Sequence, residues 1–248
     1  SGNELVLWYY NKALFEQYDV KVPETYAELL TAIEVFNAND IVPMSIFAKE
    51  KWITTAMYDV LATRFEPAGI TKLDAGQGKA SDEAYTKAAE TLNELVKAGM
   101  FAEGATNTNY DQAAALFYEG KAAMFLNGQW EIAGSTEKLG ENADWMWYPV
   151  MPGYEANKYA LSGGGAPGGY AVNPNSEHKE LAAEIAAYMS EKYCEAKYKL
   201  RGNPILAVQV DASITPDTPF PAMMEKLDSE LGNITSTTKF AWGLTNPL

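Results

Sequence analysis

The residues of this 248-residue chain best suited to chemistry are tryptophans at element boundaries, flanked by amides and charged groups. Trp52 follows Glu50 and Lys51, Trp130 follows Asn127, Gly128 and Gln129, and Trp242 stands shortly after Lys239. An indole face offers π surface to the C–H groups of a pyranose, while neighbouring carboxylates and amides supply oriented partners for its hydroxyls. For any one of the three, core packing is an equal alternative. The features concentrate at 116–130, where a helix end, the stop residue Gly120, an apolar strand at 122–126 and an Asn127-Gly128 turn are expected to throw Trp130 outward.

The sequence offers two other chemistries. Gly163, Gly164, Gly165, Ala166, Pro167 and Gly168 satisfy G-x-G-x-x-G, but that fingerprint must follow a strand and open a helix. Here Pro167 and an expected strand at 170–172 follow instead, so a flexible loop remains, or bare backbone that a ligand approaches or about which the chain hinges. The 33 Asp and Glu residues permit a carboxylate pair of the glycosidase kind. Most of them fall on predicted solvated helix faces.

Composition narrows the classes further. A net charge of −14 opposes partners with phosphate backbones or anionic membrane surfaces, which call for a basic footprint. The single Cys194 excludes an internal disulfide and a cysteine zinc cluster, and the single His178 argues against histidine metal sites and a Ser/His/Asp device. No cofactor is expected. Hydrophobic residues make up 47% of the chain, enough for a core, and no apolar run approaches bilayer length.

The elements that must position these residues alternate along the chain. Residues 4–10 read as a buried strand, and Thr25 with Glu28 as a capping box opening a helix with Leu29, Leu30, Ile33 and Phe36 on one face. A short strand at 41–47 carries Pro43, which belongs at a sheet edge. A helix at 53–63 follows, then a Gly-rich surface excursion at 66–78. The helix at 81–99, with Ser81 as its cap, runs to Gly99, and Asn109 with Gln112 caps the next. Further helices are expected at 129–138, 177–192 and 222–230, and strands at 145–150, 170–172 and 205–210. Leu181, Ile185, Tyr188 and Met189 are expected to point inward. This order implies an α/β architecture, with no linker between independent domains.

Four motifs in this order resemble the extracellular sugar-binding proteins of ABC importers, the maltose-binding-protein type. They are Leu7-Trp-Tyr-Tyr-Asn-Lys-Ala-Leu-Phe15, Val22-Pro-Glu-Thr-Tyr-Ala-Glu-Leu-Leu30, Phe117-Tyr-Glu-Gly-Lys-Ala-Ala-Met-Phe-Leu-Asn-Gly-Gln-Trp130, and Gly163-Gly-Gly with Gly169-Tyr-Ala-Val172 and Ser176-Glu-His-Lys-Glu-Leu-Ala-Ala183. The resemblance implies a two-lobed type II periplasmic-binding fold that closes on ligand about a hinge. It implies capture of a mono- or oligosaccharide and delivery to ABC permease subunits, without chemistry on the ligand. The alternatives are a glycoside-acting enzyme and a stand-alone carbohydrate-binding module.

By the same resemblance, Trp52, Trp130, Asn127 and Trp242 contribute to ligand binding, and Gly163, Gly164 and Gly165 form a crossover where backbone meets ligand. The family carries a long section before Leu7 and helices after Trp242 that this sequence lacks. The expected organisation is therefore a discontinuous second lobe, 5–160 and 212–248, with an incomplete first-lobe piece at 161–211. Little sugar affinity is expected of such a chain alone, and its orphaned piece would invite self-association. The resemblance further implies a place at the extracellular face, as a lipoprotein anchored outside these residues, or in the periplasm.

Overall fold

A computed structural model describes residues 4–164, 169–206 and 208–239. The chain opens with β1 (Val6–Asn11), every residue of it buried, and the Asn11 side chain accepts from the backbone N–H groups of Ala13 and Leu14 to start α1 (Lys12–Gln17). Helix α2 (Tyr26–Ala38) begins at the expected capping box. Thr25 accepts from the Glu28 backbone while Glu28 accepts from the Thr25 backbone. Strand β2 (Val42–Ser45) leads to α3 (Lys51–Phe65), α4 (Gly69–Asp74) and α5 (Glu83–Lys97), which ends at Gly99 with φ 77°.

Helix α6 (Tyr110–Tyr118) starts at the Asn109/Gln112 capping box. Strand β3 (Ala122–Gly128), a 3-10 turn at Gln129–Glu131, α7 (Ile132–Leu139) and β4 (Ala143–Met146) complete the first sheet. The remainder comprises β5 (Ala160–Leu161), the long α8 (Lys179–Arg201), α9 (Ala222–Glu230) and β6 (Ser236–Thr237).

The first sheet has the order β2-β3-β1-β4. β1 runs antiparallel to both neighbours, with Trp8 opposite Leu126 on one side and Met146 on the other, whereas β2 and β3 are parallel. Pro43 therefore sits in an edge strand, as its missing N–H requires. One continuous core spans sheet and helices, from Leu7, Tyr9 and Phe125 to Phe36, Val60 and Leu95. β5 and β6 form a separate parallel pair beside the start of β1, where Leu5 bridges Gly163.

Several expectations are corrected. Asn127 and Gly128 are not a turn: they end β3, paired with Leu7 and Val6. An Asn-Gly pair makes a hairpin only where the next residues return as a strand, and here they coil into the 3-10 turn while β1 supplies the partner. The stretch 66–78 is not a surface excursion, because α4 buries Ile70 and Asp74 against α3. It is tied down by the Ile70 N–H to Asp59 and by the Tyr85 hydroxyl to the Gly69 carbonyl, contacts that sequence periodicity cannot display.

Asp82 rather than Ser81 occupies the N-cap position of α5, its carboxylate accepting from the Lys79 N–H instead of from the helix. The described residues of 170–172 and 205–210 form no strand, since no neighbouring strand pairs with them. Most of α8 also lies differently. Leu181, Ile185, Tyr188 and Met189 point outward, with 55%, 50%, 63% and 43% of their surface exposed, and Cys194 is its one buried residue. The spacing of an apolar stripe marks a face to be covered, not what covers it.

Candidate binding site

The loops leaving the carboxyl ends of the parallel strands β2 and β3 lie side by side, the place where open α/β sheets present ligand sites. The first passes through Phe47 to the opening turn of α3 and delivers Trp52; the second is the 3-10 turn carrying Trp130. Their ring centroids are 5.9 Å apart at 52°. Both indoles are half-buried, so each keeps surface toward solvent. Phe47 braces Trp52, with ring centroids 5.1 Å apart, and packs 4.8 Å from Tyr110.

Gly128 explains how Trp130 is seated. A Cβ on Gly128 would fall inside the Trp130 ring, so the indole lies directly on bare strand backbone. That seat is held by buried polar groups. The Asn127 side chain is fully buried; its Nδ2 donates to Glu131 at 3.2 Å and its Oδ1 accepts from the Gly128 N–H at 2.9 Å. The Glu131 carboxylate also accepts from the hydroxyls of Tyr110 and Tyr118. The Tyr9 hydroxyl donates to the Gly128 carbonyl at 2.8 Å, anchoring the same residue from the central strand.

Burial raises the Glu131 carboxyl above the usual carboxylate range, against the two tyrosyl hydrogen bonds that favour its charged form. Burial likewise raises Tyr110 and Tyr118, and their hydrogen bonds to Glu131 add to it. A second carboxylate, Glu50, accepts from the Tyr110 backbone N–H at 3.0 Å in the first turn of α6. Glu131 thus holds two tyrosine side chains, and Glu50 engages the backbone at the start of the helix that carries one of them. The sequence drew attention to Trp52, its neighbour Glu50 and Trp130, and missed Tyr110, Tyr118 and Glu131. Only the Asn109/Gln112 capping box, which fixes where Tyr110 begins its helix, hinted at them.

The glycine segment lies near the same strand end. Leu5 exchanges backbone hydrogen bonds with the Gln129 side chain and main chain on one side, and bridges Gly163 on the other. The Gly163 N–H donates to Thr238 Oγ1 at 2.9 Å. Gly164 has φ 134°, and a Cβ there would come within 2.6 Å of Thr237. Beneath both sits Asp59, fully buried, which accepts from Ser162 Oγ at 2.6 Å, from the Thr238 hydroxyl and from the Ile70 N–H at 2.8 Å. Burial pushes its carboxyl up to about 6 despite these donors. Gly165 and Trp242, two of the expected contacts, lie outside the described residues.

Among the described residues no group of three His, Cys, Asp or Glu could hold a metal ion, and no helix is long and apolar enough to cross a membrane. What this arrangement can do is present two tilted indole faces, with tyrosines behind them, to a ligand with apolar faces and a polar rim.

A family model described as "Bacterial extracellular solute-binding protein" matches residues 2–192. The multiple sugar-binding protein of Streptococcus mutans is 23% identical over 213 residues, 79% of this chain and 48% of that protein. Among solved structures, one from work on xylan utilization by the thermophilic bacterium Caldanaerobius polysaccharolyticus superposes with a TM-score of 0.81 at 23% identity, covering 100% of this chain and 63% of that one. A chitin oligosaccharide binding protein follows, with a TM-score of 0.78 at 21% identity over 98% of this chain and 60% of its own. At these identities the likeness establishes the expected α/β periplasmic-binding fold. The chain spans about half the length of the Streptococcus mutans protein and under two thirds of the solved ones. With the family model matching from Gly2 into α8, the chain belongs to the bacterial extracellular solute-binding proteins.

Proposed function

We propose that the chain supplies the sugar-stacking half of the substrate-binding component of an ABC importer, with Trp52 and Trp130 as the platform. The observation that carries this reading is the pair of half-buried indoles 5.9 Å apart at the carboxyl ends of β2 and β3. The names of relatives support the ligand class. They include a multiple sugar-binding protein, a chitin oligosaccharide binding protein, a receptor in complex with raffinose and a sugar transporter in complex with stachyose.

In this reading residues 5–160 and 212–248 belong to the second lobe and 161–211 to an incomplete piece of the first, with Gly163, Gly164 and Gly165 at the crossover. Asn127 acts from beneath, holding Glu131 and the seat of Trp130, and Trp242 is a third stacking ring. Ligand is captured and handed to permease subunits with no chemistry performed on it, since Glu50 and Glu131 are engaged in holding Tyr110 and Tyr118. The setting is the periplasm or the outer face of the cell membrane, there through a lipid anchor outside these residues.

The test is a fluorescence titration with raffinose, xylo-oligosaccharides and chito-oligosaccharides. One lobe's stacking surface should give affinity in the millimolar range, removed by Trp130→Ala. No tryptophan response to any sugar, or hydrolysis of chromogenic glycosides, would overturn the reading; micromolar affinity by calorimetry would overturn the half-cleft assignment.

A further inference from the structure

The two loops that carry the indoles both fasten to the start of α6. From the first, the Lys49 N–H donates to the Thr108 carbonyl at 3.2 Å, and the Phe47 ring packs against both Trp52 and Tyr110. Glu50 stands at the N-cap position of α3, yet its side chain makes no cap there. Its carboxylate reaches across instead to the Tyr110 N–H at 3.0 Å, one of the donors that the first turn of a helix leaves without an internal partner. From the second loop, Glu131 accepts from the Tyr110 hydroxyl. The oxygen of that hydroxyl in turn draws hydrogen bonds from the side chains of Asn127 and Trp130.

We propose that Tyr110 is the positioning residue that fixes the two indoles relative to each other, its ring and backbone holding the loop of Trp52 and its hydroxyl the loop of Trp130. The division is by chemical group. Taking away the hydroxyl leaves the Phe47 and Glu50 contacts in place and cuts those to Glu131, Asn127 and Trp130. Tyr118 supplies the contrast. It donates to the same carboxylate from about two turns further along α6, and among the described residues it has no hydrogen bond or ring contact with the loop of Trp52.

A phenol oxygen can donate and accept at once, so the run from Trp130 through Tyr110 to Glu131 is a short polarised chain in a largely buried setting. An indole has one N–H. With that donor turned to Tyr110, Trp130 meets a ligand through its π surface. The consequence for sugar capture rests on the stacking reading of the two indoles; the link between the loops does not.

Circular dichroism of the 248-residue chain tests the link without any ligand. Two indoles 5.9 Å apart couple their electronic transitions into a pair of bands of opposite sign, whose size follows their distance and angle. Subtracting the spectrum of Trp52→Phe, made in each background, isolates this couplet from the other tryptophans. Tyr110→Phe should remove most of it with the helix signal unchanged, and Tyr118→Phe should leave most of it. Glu50→Ala, which frees the other arm, should reduce it, and Glu50→Gln, which keeps an acceptor oxygen, should restore it. In titrations with raffinose or xylo-oligosaccharides, Tyr110→Phe should weaken binding about three- to tenfold, the worth of one hydrogen bond. A couplet absent from the parent chain or unchanged in Tyr110→Phe overturns the inference, as does an equal loss from Tyr118→Phe. A couplet that follows this pattern in a chain with no sugar response upholds the link and overturns only the stacking reading.

Discussion

The indole of Trp130 lies directly on the Cα of Gly128, two residues before it, at a position where the strand has no room for a methyl group. An Asn-Gly sequence that looks like a hairpin turn is in fact a seat cut into the end of a strand. Gly128→Ala must then displace the ring or bend β3, a cost of about 1–3 kcal/mol. Chemical denaturation should register the loss, and the tryptophan emission spectrum should shift toward that of exposed indole. An unchanged spectrum would mean that Trp130 is not seated there.

Trp52 and Trp130 share one surface but differ in support. Trp52 leans on the Phe47 ring, while Trp130 rests on backbone secured by Asn127, Glu131 and two tyrosines. Trp52→Ala should therefore lower any sugar response by about 0.5–1.5 kcal/mol, the worth of one ring contact. Tyr118→Phe, which contributes no surface to the ligand, should weaken the response only through looser seating of Trp130. Equal losses from the two substitutions, read in the same titration, would contradict this division of labour.

The Asp59 node makes stability depend on pH. Its carboxyl stands near 6 in the folded chain against an ordinary 3.8. The folded state therefore holds a proton that the unfolded state releases, so the contribution is fully present below about pH 4 and lost as pH rises through about 6. Its size is on the order of 3 kcal/mol. Urea midpoints measured between pH 4 and 7 should fall as pH rises, and Asp59→Asn should flatten that slope while leaving Ser162 or Thr238 short of an acceptor.

Arg64 is buried and, among the described residues, has no carboxylate partner. Its guanidinium donates to the carbonyls of Tyr148, Lys158 and Ala160 and lies 5.2 Å from the Tyr148 ring centroid, and burial lowers its pKa to about 10. It fastens the residues leading into β5 to α3. Arg64→Met removes those donors and leaves three inward carbonyls, a destabilisation of about 3–5 kcal/mol by thermal or urea unfolding. A value under about 1 kcal/mol would show that water replaces the guanidinium.

Local signals were legible in the sequence. Thr25 with Glu28 and Asn109 with Gln112 cap their helices as read, Gly99 ends α5 and Pro43 marks an edge. Each of these depends on a single residue's backbone or on residues three apart. What the sequence hid depends on distant partners: Asn127-Gly128 became strand because β1 lay beside it, 66–78 packed inward because Asp59 met Ile70, and the α8 stripe faced out. The binding surface divides the same way. Both indoles could be singled out by type and setting, but their pairing, and the Glu131 carboxylate that steadies one of them, arise only when two loops converge.

The central place of β1 bears on how the molecule is made. Trp8 pairs with Leu126 and Met146, so β1 leaves the ribosome well before either neighbouring strand and cannot complete its ladders until both have followed. Until then Val6, Leu7, Trp8, Tyr9 and Tyr10 form an unpaired, strongly apolar run on the nascent chain. Such long-range closure folds slowly and aggregates readily.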